Sequence, residues 1–575
     1  MRLTHRRTLA LCAAAALALA APAVSAAHGS GHGHGDHHGK GLGAIKRIVV
    51  IYEENHSFDN LYGKWEGVNG LRRADPAHTT QVNQAGKPYA CLLQNDANLA
   101  SPPLPASCHD ATGTAAFDSA FPNTPFLIDD FIAPTDKTCP APGVFAANGV
   151  LKDSPGALPG GCTRDLVHRF YQEQYQLNGG KQNRYTTGSD AVGLTQGVYD
   201  TRALPIYKYL HTPGHPDYAI ADAFFQAAFG GSFLNHQWLV AAATPTFPGA
   251  PADQHSLLDA NGMPTSYPLY TATGTVRDTA LTQACPAANG LACGDFAVNT
   301  IQPPYQPYSS ATALKLPPQT GPTIGDRLSA KGVDWAWYSG GWSNANGDVG
   351  GPGWTNGTTA GTCTDPNTLT SAAVYPNCPD KLFQFHHQPL NYYASFAPGT
   401  DARKAHLRDE AEFEAAAAAS KQHCQLKPVS IVKPIGAENE HPGYASEHSG
   451  SSHLVDLLTA IQGSRCAKDT MVVVTYDEFG GQWDHVSPPG MGGKGPHDEW
   501  GPSTRIPALV LAPGLRDDFV VDSTSHDTTS ILATIEHRFG LAPLTTRDTA
   551  VNDLSSVFTA REPRRDSHGH DRYGR

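Results

Sequence analysis

Two short apolar runs, each ending directly in acids, constrain this chain most. Ile45 to Tyr52 reads I-K-R-I-V-V-I-Y and runs into Glu53-Glu54-Asn55-His56-Ser57-Phe58-Asp59. Met471 to Tyr476 reads M-V-V-V-T-Y and runs into Asp477-Glu478-Phe479-Gly480-Gly481, then Trp483-Asp484-His485. β-branched residues with almost no polar alternation suit strands buried on both faces, as in a parallel sheet. Val429 to Val432, Val333 to Tyr338 and Ile506 to Leu511 are weaker runs of the same kind. Helical patterns fall between them, over 164–176, 403–421, 453–461 and 527–539. The last opens on Ser/Asp/Thr capping candidates and closes at Gly540. Alternating strands and helices predict an α/β fold, with a mainly parallel central sheet flanked by helices.

Such sheets bind ligands beyond the carboxyl ends of their strands. If the two runs are neighbours, their acids converge there and repel unless a cation neutralises them. Carboxylate and amide oxygens are hard ligands, suited to Mg²⁺, Ca²⁺ or Mn²⁺. Solvated strand ends or helix caps are the plainer reading of either cluster alone. Phe229-Gly230-Gly231-Ser232-Phe233-Leu234-Asn235-His236 adds a hydroxyl at the mouth of a helix-like run, where free backbone N–H groups attract anions. A plain Ser N-cap is the competing reading. His386-His387, His441 and His168 stand in polar-aromatic contexts. Imidazoles there can hold phosphate oxygens or protonate a leaving group. An adjacent pair in a strand cannot point both rings one way, so His386 and His387 are expected to differ in role. His526 and Asp527 read as helix caps.

Composition narrows the classes. The chain carries 41 Lys+Arg against 53 Asp+Glu, a net charge of -12, and is therefore a poor candidate for nucleic-acid binding. Its 57 Gly and 45 Pro are spread along the chain without a collagen-like period, and two Gly/Pro/Cys-rich blocks near 74–161 and 247–378 are expected to form a cap or smaller lobe. After the N-terminal segment no apolar run approaches the roughly 20 residues of a membrane span, so no integral membrane association is expected. Met1 to Ala26 has a basic start, an apolar run and Val24-Ser25-Ala26, which together read as a signal peptide. Arg6-Arg7 leaves both ordinary and twin-arginine export open. Export, periplasmic or extracellular, is the expectation. Residues 27–43 form a Gly/His-rich linker and 561–575 a polar, flexible tail. Metal or heme-type binding by the His-rich linker is a separate, non-catalytic reading. Beyond the signal, the cysteines suit disulfides. Sequence neighbours would pair as 91–108, 139–162, 285–293, 363–378 and 424–466, although spacing does not fix connectivity.

Lys181 lacks the spacing of a P-loop, and Ser232 lacks a G-x-S-x-G elbow. The stretches V-I-Y-E-E-N-H-S-F-D-N-L-Y-G, D-L-V-H-R-F-Y-Q-E-Q-Y-Q-L-N-G-G-K and T-Y-D-E-F-G-G-Q-W-D-H-V-S-P-P resemble, in order, three signatures of the bacterial phosphoesterase family of secreted acid phosphatases and phospholipases C. A-F-G-G-S-F-L-N-H-Q, with Ser where the phospholipase branch usually has Thr, looks like the acid-phosphatase branch. The resemblance implies an alkaline-phosphatase-like fold and a catalytic domain over 44–560. It implies one divalent ion on Glu54, Asn55, Ser232, Asp477 and Glu478. Ser232 would be the nucleophile toward a phosphate-ester substrate, with His168, His386, His387 and His441 around the phosphoryl group. His485 lies in a matching motif with a less defined part. Protonated histidines would give an acid optimum. A phospholipase C is the alternative.

Overall fold

A computed structural model describes residues 41–562 apart from 93–105, 114–115, 131–164, 190–191, 250–255, 258–292, 295, 309–311, 356–361, 365–371, 375–381 and 443–444. The signal, most of the linker and tail, and much of both Gly/Pro-rich blocks lie outside the described residues. Eight strands build the main sheet: β1 Arg47–Glu53, β2 Tyr218–Ala221, β3 Trp335–Ser339, β4 Leu407–Asp409, β5 Val429–Lys433, β6 Thr470–Tyr476, β7 Ala508–Leu511 and β8 Phe519–Asp522. Their order is β4-β3-β5-β1-β6-β7-β2-β8. Only β7 opposes its neighbours; every other pairing is parallel. The mainly parallel α/β expectation is therefore met.

The two runs that anchored the sequence reading lie side by side at the sheet's centre. In β1, Ile48 to Tyr52 are fully buried, as are Met471 to Val473 in β6. Burial on both faces explains why neither run alternates with polar residues. The register pairs Ile48 with Met471 and Glu53 with Tyr476, so Glu54 and Asp477 leave the sheet together. Lys433 ends β5, on the other side of β1.

Helices cover the sheet: α1 Phe58–Leu61, α2 Phe170–Leu177, α3 Ser232–Ala241, α4 Glu410–Ala419, α5 Glu447–Gln462 and α6 Thr529–Phe539. α6 starts two residues later than the expected 527–539 and closes as expected on Gly540, in the left-handed region. The helix expected over 403–421 is broken. Asp401–His406 is a short helix, Leu407–Asp409 peels off as the edge strand β4, and α4 restarts with Asp409 accepting from Ala411 N. Pairing of Leu407 to Asp409 with Trp337 to Ser339 outweighs local helix propensity there. Part of the 247–378 block also belongs to the core, because it supplies β3. Cys91–Cys108 and Cys424–Cys466 are disulfides, as expected. The other three expected pairs involve side chains outside the described residues.

Candidate active site

β1 and β6 deliver Glu54, Asn55, Asp477 and Glu478 to one spot, all fully buried. The two strand ends are tied by their own backbones. Asp477 N donates to Glu53 O at 3.1 Å, and Asn55 N donates to Asp477 Oδ1 at 3.1 Å. Asn55 takes a φ of 59°, a left-handed turn that Asn tolerates better than most residues. Gly480 faces it so closely that a Cβ would sit 2.2 Å from Asn55 O, which leaves room only for glycine.

Ser232 is the first residue of α3 and nearly buried. Its Oγ donates to Glu54 Oε2 at 3.0 Å and lies 3.4 Å from Glu478 Oε1. The turn before it is fixed by Glu173 on α2. That buried carboxylate accepts from Gly230 N at 2.6 Å, Gln226 Nε2 at 3.1 Å, and Thr504 N and Oγ1 at 3.2 and 2.7 Å. Gly230 has φ 92°, and a Cβ there would lie 2.6 Å from Phe170 N.

The histidines divide between two sides. His168 Nε2 lies 3.3 Å from Glu478 Oε1 and accepts from Asn55 Nδ2 at 3.5 Å. Its ring is 6.4 Å from that of His441. On the other side, His387 Nε2 approaches Glu54 Oε1 to 3.1 Å without hydrogen-bond alignment. The ring of His387 stacks on His236, with centroids 5.3 Å apart and planes 6° apart. His386 stands at 89° to His387 and turns its edge to His236. The adjacent pair therefore points two ways, although on a 3₁₀ turn, Phe385–His387, rather than a strand.

His485 belongs to a different cluster. Its Nδ1 bonds Asp59 Oδ2 at 2.5 Å, and Arg505 bridges Asp59 and Asp484 at 3.1 Å each. This network pins the segment after β6 to α1. Of the two expected caps only Asp527 acts at the helix start, accepting from Thr529 N at 2.7 Å; His526 instead pairs with Asp522 at 3.2 Å and with Ser556 Oγ at 3.1 Å, away from the first-turn N–H groups.

Electrostatics separates the acids. Burial, then the charge of Glu54, pushes Asp477 well above the usual carboxylate range; burial, then Asp477, does the same to Glu478. Burial opposes ionisation of Glu54 too, but Lys433 and His387 hold it well below that range. Asn55 Oδ1 and Asp477 Oδ2 are buried without a hydrogen bond. Crowded carboxylates, orphaned amide and carboxylate oxygens and a serine hydroxyl fit one hard divalent cation. Among the described residues, two groups of His and acids also have metal-ligand proximity: Glu54–His236–His387 and Asp59–Asp484–His485.

One expectation needs correction. Burial lowers His386 and His387, and takes His441 down to about 3. His441 is therefore neutral at mildly acid pH, so its protonation does not account for an acid optimum. Three residues escaped the sequence reading. Lys433 stands one position past the expected strand 429–432. His236 lies one helical turn after Ser232, and its Nδ1 donates to Ser232 O at 2.7 Å. Glu173 sits inside a quoted motif, but only the fold shows what it holds.

The phosphoesterase family model matches residues 45–542. Phospholipase C A of Mycobacterium tuberculosis is 22% identical over 553 residues, covering 91% of this chain and 78% of that protein. Phospholipase C B of the same organism is 33% identical over 171 residues, 25% of this chain and 32% of that protein. Non-specific phospholipase C6 of Arabidopsis thaliana is 29% identical over 136 residues, 20% of this chain and 26% of its own.

Proposed function

The chain belongs to the phosphoesterase family, and on that premise we propose that it is a metal-dependent phosphomonoesterase of the acid-phosphatase type, with Ser232 as nucleophile. The observation that carries this reading is the Ser232 hydroxyl at the head of a ten-residue helix, 3.0 Å from Glu54. Phosphoester hydrolysis itself is the chemistry that the family and its relatives support. Glu54, Asn55, Asp477, Glu478 and Ser232 would hold one divalent ion. When bound, that ion supplies Lewis-acid stabilisation of the charge developing on the phosphoryl oxygens.

The chain's own groups do the rest. Glu54 accepts a hydrogen bond from the Ser232 hydroxyl and aims its oxygen at phosphorus; a cation bound beside it would favour the deprotonated, nucleophilic form. The N–H groups of Ser232 and Phe233, which open α3, would face the phosphoryl oxygens. His387 and His441, both buried, orient the phosphoryl group by hydrogen bonds, with His386 turned across them. His168 is the least buried of the four, with a side-chain exposure of 17%, and suits proton delivery to the leaving alcohol. Water then releases phosphate from phosphoserine. His485 acts at a distance, by holding the loop that follows Glu478. Export is part of the proposal, supported by the signal-like N-terminus and the two disulfides.

A second reading has its own support: the relatives named above are phospholipases C. Under it the same site opens a phosphodiester and releases a phosphorylated head group. Hydrolysis of p-nitrophenyl phosphate and p-nitrophenyl phosphorylcholine, side by side with and without chelator, separates the two. The monoester is expected to be preferred, with chelation abolishing turnover. Preference for the choline diester would make the phospholipase reading correct.

A further inference from the structure

Glu54 divides the site in two. Its Oε2 faces Ser232 at 3.0 Å. Its Oε1 faces His387 Nε2 at 3.1 Å, His236 Nε2 at 3.7 Å and the ammonium of Lys433. Two imidazoles and one carboxylate are a zinc-type ligand set. Both rings are prepared for that role. His236 uses its Nδ1 proton on Ser232 O, which leaves Nε2 as a bare lone pair, and Nε2 has no hydrogen bond. His387 Nε2 is also buried without one.

A cation is already there, however, and it belongs to the chain. Lys433 is fully buried. Its Nζ donates to Tyr52 O at 3.0 Å and Glu53 O at 3.2 Å, and it pairs with Glu54. An ammonium has three donors, so all are engaged and none is free to carry the side chain outward. Phosphoryl-transfer sites with two metals hold them about 3.5–4 Å apart. A fixed ammonium on the shared carboxylate leaves no place for a second dication. The other metal-capable cluster, Asp59–Asp484–His485, repeats the pattern with the buried Arg505 guanidinium on both acids.

We propose that Lys433 stands in for a second metal ion, and that removing its charge opens a latent zinc site on Glu54, His236 and His387. This deepens the one-ion reading above and concerns only the Oε1 side of Glu54. The test is zinc content per chain of the full-length protein after equilibrium dialysis against zinc, by elemental analysis. Lys433→Met and Lys433→Gln are expected to take up one zinc more than wild type, and His387→Ala in the same background to lose it again. The His-rich linker contributes equally to each and cancels in the difference. An unchanged count in a Lys433 variant with wild-type circular dichroism and melting would overturn the proposal. If neither Lys433 variant folds, His387→Ala in the wild-type background decides. An unchanged count supports Lys433 as the resident cation, and one zinc lost shows that the triad already binds metal. None of these outcomes depends on which phosphoester is cleaved, so a failed monoesterase assay leaves the proposal standing.

Discussion

Glu54 and His453 show how differently one side chain is set by its surroundings. Burial raises Glu54, but Lys433, then His387, hold it well below the usual carboxylate range. His453, on α5, is 2.9 Å from Glu410 and 3.6 Å from Glu438. Burial would lower its pKa, but the Glu410 hydrogen bond and charge, then Glu438 and Glu53, raise it to about 10. A histidine raised in the folded state contributes stability that is complete below its unfolded value, roughly 6.5. That contribution declines as pH rises toward about 10. Each unit is worth about 1.4 kcal/mol, so a loss of a few kcal/mol is expected across this window. Urea unfolding of wild type and His453→Gln between neutral and alkaline pH checks it: the variant's profile should be the flatter one. Parallel profiles would show that the pair does not hold the proton. At this scale the sequence was informative about identity and poor about state. The carboxylates, Ser232 and the histidines could be named from their motifs. That His441 is neutral and that Lys433 is trapped could not, because both depend on burial by residues hundreds of positions away.

Elements were legible where their composition was extreme. β1 and β6 could be read because continuous β-branched runs suit only buried strands. Tyr218–Ala221, only four residues long, and Phe519–Asp522 at the sheet edge carry no such signal and went unread. The broken helix at Leu407 has the same origin, since strand pairing from a distant segment decides it. One packing contact links an element to the site. Gly450 in α5 lies against the Glu440 segment that leads into His441; a Cβ would sit 2.3 Å from Glu440 Cγ and 2.6 Å from Glu440 N. Glu440 has φ 67° and its carbonyl accepts from His56 Nε2 at 3.0 Å, so the segment has little freedom to retreat. Gly→Ala inside a helix normally gains about 1 kcal/mol. Overpacking costs about 1–3 kcal/mol, and contact with backbone places this case at the upper end. Gly450→Ala is therefore expected to destabilise by about 1–2 kcal/mol in denaturant titration and to reduce turnover by displacing His441. A stabilised, fully active variant would mean that the contact yields.

In the whole molecule the candidate site lies on the carboxyl edge of three adjacent parallel strands. β5 brings Lys433 and the segment to His441, β1 brings Glu54 and Asn55, and β6 brings Asp477 and Glu478. That convergence was foreseeable from two acid-terminated runs alone, given that they are neighbours. The part played by the Gly/Pro-rich blocks was less so: one of them contributes β3, whose Trp337 Nε1 donates to His387 O at 2.9 Å and so braces the site. The proposed covalent phosphoserine at Ser232 can be trapped by acid quenching during turnover of p-nitrophenyl phosphate, followed by peptide mass analysis. Phosphate should appear on the peptide holding Ser232, and Ser232→Ala should lose activity on the order of a thousandfold or more. A Ser232→Ala protein that keeps most of its activity, with no phosphopeptide from the wild type, would contradict it.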